Sequence, residues 1–88
     1  MSSKKVPKII SGSVLRVMRI RAEKTTAEMA EFAGVKVRKT YENWEKDIGE
    51  PGINQFLEMV VKCGFSPSAI VEHYIGEYEQ ARAGEDHE

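Results

Sequence analysis

Apolar residues recur along this chain at spacings of three and four, not two. Ile53, Phe56, Leu57, Val60 and Val61 fall at i, i+3, i+4, i+7 and i+8, the stripe that an amphipathic helix turns toward a core. Val14, Leu15, Met18 and Ala22, interleaved with Arg16, Arg19 and Arg21, predict an earlier helix from a Ser13 cap to about Glu23. Thr25 followed by Glu28 is a capping box, so a second helix is predicted from Thr26 to Ala33, stopped by Gly34 in the left-handed conformation. A third covers about Val37 to Lys46. Its 4-3-4 spacing turns Val37, Tyr41, Trp44 and Ile48 inward and leaves Arg38, Lys39, Glu42 and Asn43 on the other side. Residues 47–52 are turn chemistry, with Pro51 suited to the first position of the fourth helix, the one carrying Ile53 to Val61. Gly64 ends that helix, and Ser66-Pro67 opens a last one carrying Ile70, Val71, Tyr74, Ile75 and Tyr78. With no sustained alternation of β-branched residues, the expectation is an all-α, compact five-helix domain over residues 13–82. A basic arm, 1–12, precedes it, and an acidic tail, 83–88, expected to be disordered, follows.

Eighty-eight residues make one domain, which buries only about 60–65% of the surface that the unfolded chain exposes. The longest apolar runs, such as Met59–Val61, have three residues, far short of the roughly 20 that cross a bilayer. Lys4, Lys5 and Lys8 are not followed by the apolar segment of a signal peptide, so a cytoplasmic protein is expected. Cys63, the single cysteine, has no disulfide or metal-knuckle partner and reads as a small core residue. His73 and His87 have no ligand at metal spacing, and Ser11-Gly12-Ser13 lacks the length and the Lys-Ser/Thr end of a phosphate loop. No enzyme, metal site or cofactor is expected.

The net charge of −1 conceals an asymmetry. Met1 to Lys46 holds eleven Lys/Arg against five acids, whereas Asp47 to Glu88 holds two against nine. A basic half within a balanced chain is one electrostatic footprint of a nucleic-acid binder, because phosphate responds to the local field. Segregated charge on solvated helix faces is the alternative.

A short helix, a Gly-containing turn and a second helix with a basic outer face form the composition of a helix-turn-helix. From Leu15 to about Ile70 the chain resembles the XRE or Cro-like helix-turn-helix domain of phage repressors, antitoxins and small bacterial regulators. The matching residues are Leu15-Arg16-x-x-Arg19; Thr25-x-x-x-Met29-Ala30-x-x-Ala33-Gly34-Val35; Thr40-Tyr41-x-x-Trp44-Glu45-Lys46; Glu50-Pro51; and Cys63-Gly64-Phe65-Ser66. The resemblance implies a lambda-repressor-like fold and a DNA-binding regulator whose third helix reads the major groove. Its base-reading positions fall on Arg38, Lys39 and Asn43, whose types suit guanine and adenine edges. Phosphate contacts are expected from Thr26, Lys36, Arg16 and Lys46, and Arg19 and Glu45 fall on a paired position expected to form a partly buried ion pair. Ala30 is expected where the two motif helices cross, and Trp44, Met18 and Met29 in the core.

The chain departs from the family pattern in four places. Lys36-Val37-Arg38-Lys39 carries one residue more than usual, no Ser or Thr caps the third helix, Thr26 replaces a common Gln, and Asp47 replaces a Gly. Asp47 remains compatible with a left-handed turn. Lys4, Lys5 and Lys8 either follow the DNA backbone and minor groove or form a solvated terminus. The last helix has more apolar surface than one inner face needs, so Ile75 and Tyr78 are expected at a homodimer interface. Double-stranded DNA is the expected partner. The competing reading is a protein-binding adaptor, antitoxin or anti-repressor on the same scaffold.

Overall fold

The structure, a computed structural model, describes residues 10–86, with side chains to residue 83. Among the described residues five helices follow in order: α1 (Gly12–Arg21), α2 (Thr26–Ala33), α3 (Arg38–Glu45), α4 (Ile53–Lys62) and α5 (Pro67–Asp86). The chain is a compact all-α domain, without strands among the described residues. Lys4, Lys5 and Lys8 of the expected arm, and the last two residues of the expected tail, lie outside the described residues.

Local chemistry sets the ends of these helices. Ser11, not Ser13, caps α1, accepting from the Val14 N–H. Ile10 packs against the core and Gly12 is buried, so the folded part begins earlier than the boundary expected at Ser13. The Thr25–Glu28 capping box is present in both directions, with Glu28 Oε1 accepting from the Thr25 N–H at 2.8 Å. These bonds hold the Glu28 carboxyl below its ordinary range. Gly34 ends α2 at φ +79°, where a side chain is strained. At α4 the expected use of Pro51 as first helical residue is corrected: Gly52 is the N-cap and donates its N–H to Gln55 Oε1, while Pro51 is buried just before it. Ser66 accepts from the Ala69 N–H, and Pro67 opens α5, which continues through residues 83–86.

The core draws Leu15 and Met18 from α1, Met29, Ala30 and Ala33 from α2, Tyr41 and Trp44 from α3, and Phe56, Met59 and Val60 from α4. Two expectations about it need correction. Val37 and Ile48 are 57% and 56% exposed, because Val37 is the extended N-cap of α3 and Ile48 follows the left-handed Asp47 at φ +63°. The helical spacing that would turn both inward stops between them. On α4, Ile53 and Val61 are exposed and Met59 is fully buried, so the inner stripe is Phe56, Met59 and Val60 with Cys63 beside it. α2 packs on α3 and α4, α1 on α3, and α5 on α4. Among its described side chains α5 supplies no fully buried residue; its Ile70 packs against the core from a partly buried position.

Candidate nucleic-acid interface

α3 is gripped from behind. Tyr41 and Trp44 sit in the core in a T-shaped pair, with ring centroids 6.1 Å apart. One turn further on, Glu45 receives Arg19 Nε at 2.6 Å and Arg19 Nη2 at 3.2 Å, a two-pronged ion pair between α1 and α3. The Tyr41 hydroxyl donates to the same carboxylate at 2.6 Å and lies 3.3 Å from the Leu15 carbonyl. Burial pushes the Glu45 carboxyl up, but the bonds from Arg19 and Tyr41 and the charges of Arg19 and Arg16 outweigh it, leaving the group below its ordinary range. The hydrogen bond to Glu45 raises Arg19 in turn. Burial, reinforced by Glu45, drives the Tyr41 phenol far above its normal value, so it stays a donor.

A second clamp joins the same two helices at the opposite end of α1. The Gly12 N–H donates to Asp47 Oδ1 at 2.8 Å, placing a carboxylate at a helix N-terminus, where the backbone dipole favours it. The backbones are so close that a Cβ on Gly12 would overlap the Glu45 carbonyl and stand 2.8 Å from the Trp44 carbonyl oxygen. Asp47 therefore accepts a bond that a glycine at this position would have no side chain to make. The sequence marks Asp47 only as a residue tolerant of left-handed backbone, because its partner is 35 positions away.

At about 100° per residue, Tyr41, Trp44 and Glu45 share one side of α3, and Lys39 projects opposite them, flanked by Glu42 and Asn43. Arg38 lies at the edge of this outward face. Lys36, Arg38, Lys39 and Lys46 are exposed, and Asn43 is half-buried. Arg16 is exposed on α1, near enough for its charge to act on Glu45. No side chain caps α3, whose N-cap is Val37; the Thr40 N–H turns back to the Val37 carbonyl.

Glu42 lies within this basic cluster, and sequence reading assigns it no role. Its Oε2 forms an ion pair with Arg38 Nε at 3.2 Å and accepts from Thr26 Oγ1 at 2.9 Å. The Thr26 hydroxyl, expected to donate to phosphate, donates to Glu42 instead. The i, i+4 spacing of Arg38 and Glu42 was the available signal; the link to Thr26 crosses between helices and has none. An apolar groove of about 440 Å³ runs between α4 and α5, lined by Ile53, Phe56, Val71, Tyr74, Ile75 and Tyr78 among others. Ile75 is 50% exposed and Tyr78 half-buried. No helix among the described residues is long and apolar enough to cross a membrane. No family model, curated protein or solved structure matches the chain.

Proposed function

We propose that the chain is a sequence-specific DNA-binding transcriptional regulator with a lambda-repressor-like helix-turn-helix of the XRE or Cro-like kind. In this reading α3 lies in the major groove, N-terminus first, with Arg38, Lys39 and Asn43 toward base edges. Lys36, Lys46 and Arg16 attract phosphate. The observation that carries the reading is the grip of α1 on the C-terminal end of α3: the ion pair, the Gly12–Asp47 bond and the buried aromatics fix the helix from within, while its outward face is basic. A rigid helix displaying donors is what groove reading needs, because base contacts discriminate only when their geometry is held. The groove beside α5 supports a two-fold dimer through Ile75 and Tyr78, which would space two α3 helices about one DNA turn, 34–36 Å, apart.

Selection of duplexes from a randomised pool, followed by gel shift at several salt concentrations, tests this. Arg38→Ala and Asn43→Ala should each cost about 1–3 kcal/mol and relax preference at one or two base pairs. Lys36→Ala, Lys46→Ala and Arg16→Ala should weaken all sequences alike and reduce the salt slope by about one unit. A protein-binding adaptor, antitoxin or anti-repressor is the second reading. It is favoured by Glu42, a carboxylate on the face that would approach phosphate, and it requires a wild-type chain without sequence preference at low and moderate salt.

A further inference from the structure

Resting on the DNA reading, we infer that Glu42 is a positioning residue that aims Arg38 at a guanine, with Thr26 holding Glu42 in place. Two contacts converge on one oxygen. Glu42 Oε2 forms an ion pair with Arg38 Nε within α3, at 3.2 Å, and accepts from the Thr26 hydroxyl at the start of α2. The carboxylate is thus oriented by two helices at once, and the guanidinium hangs from it by Nε. A guanidinium held through Nε keeps its Nη1–Nη2 edge for a second partner, and that edge presents two parallel N–H groups. O6 and N7 of guanine, adjacent acceptors in the major groove, match that fork. Adenine, with a donor at N6 beside N7, does not.

The charges lead to the same assignment. Arg38 and Glu42 together carry no net charge, so the pair adds nothing to general attraction for phosphate. Both side chains are substantially exposed, at 62% and 34%, and an exposed i, i+4 pair contributes little to folding. What the pair supplies is direction. An unpaired arginine at this edge would sample many rotamers and lose that freedom on binding a base, a cost that Glu42 removes beforehand.

Duplex selection with the full chain and three variants tests the inference, with thermal unfolding as a control for folding. Glu42→Ala should bind duplexes in general at least as tightly, because a carboxylate facing phosphate is gone, yet its guanine preference at the Arg38 position should fall about ten-fold. Glu42→Gln, whose amide oxygen can still accept from the Thr26 hydroxyl and face Arg38 Nε, should retain most of that preference. The charge-neutral double variant Arg38→Ala/Glu42→Ala should keep the wild-type salt slope and lose the preference. A Glu42→Ala protein that folds and keeps the wild-type guanine preference overturns this inference alone. A wild-type chain that binds no duplex overturns the DNA reading together with it.

Discussion

Removing either half of the Arg19–Glu45 pair should cost the domain a measurable share of its stability, and by unequal amounts. Arg19→Ala leaves Glu45 one hydrogen bond, from the Tyr41 hydroxyl. Glu45→Ala strands both donors: Arg19 keeps only a long contact to the Lys24 carbonyl at 3.4 Å, and Tyr41 keeps the Leu15 carbonyl at 3.3 Å. The side chains are 20% and 12% exposed, between the surface pairs worth about 0.2–1 kcal/mol and the deeply buried ones whose one-sided removal costs about 3–5 kcal/mol. About 2 kcal/mol is expected for Arg19→Ala and about 3 kcal/mol for Glu45→Ala, consistent with charge-assisted bonds worth about 1.5–3 kcal/mol each. At about 4–8 °C per kcal/mol for a domain of this size, the thermal midpoints should fall by about 8–16 °C and 12–24 °C. Far-UV circular dichroism melts of wild type, both single variants and the double variant give the coupling between the two side chains directly. Two single variants within about 0.5 kcal/mol of wild type, the range of ordinary surface substitutions, would refute the argument that this pair fixes α1 to α3.

Three further outcomes are expected. Gly12→Ala should lower stability by about 1–3 kcal/mol, read as a lower urea midpoint, because its methyl group meets the Glu45 and Trp44 backbone and parts the Gly12 N–H from Asp47. The Glu45 carboxyl lies below its ordinary value of 4.5 in the folded state, so its stabilisation is complete above that value and is lost as pH falls through the lower folded value. Urea midpoints should therefore drop more steeply below about pH 4.5 in wild type than in Glu45→Gln, which has no carboxyl to protonate. Ile75→Glu should abolish a dimer seen by sedimentation at micromolar concentration while leaving the thermal midpoint nearly unchanged, since Ile75 is half exposed in the single chain; monomer alone in the wild type, with and without DNA, would remove that interface.

Short-range signals in the sequence carry most of the helix ends. Thr25 and Glu28, Gly34, and Ser66-Pro67 each act within a few residues, and their elements stand where those residues predict. The Arg19–Glu45 pair is also legible, though through the family resemblance and not through spacing. Errors arise where periodicity is extrapolated past a backbone reversal. Val37 and Ile48 match the stripe of Tyr41 and Trp44 in number, but neither has helical geometry. The first cap moves from Ser13 to Ser11 for a different reason: Gly12 must lie against the Glu45 backbone, a constraint from distant chain that no local pattern carries. At the candidate interface, the basic and amide residues are visible as types. The Arg38–Glu42–Thr26 arrangement needs the crossing of α2 and α3 to bring its third member into reach.

The core is rich in sulfur. Met29 and Met59 are completely enclosed, Met18 nearly so, and the Cys63 thiol lies 3.5 Å from the Met29 sulfur. A thioether fills irregular space well, but its sulfoxide is polar and chiral and cannot occupy the same enclosure. While the domain is closed, peroxide does not reach these atoms; when it opens, the oxidised product has no core to return to. Oxidation of Met29 and Met59 followed by peptide mass spectrometry is therefore a clock for opening of the domain. Each tick removes one molecule from the folded population until a sulfoxide reductase restores the thioether.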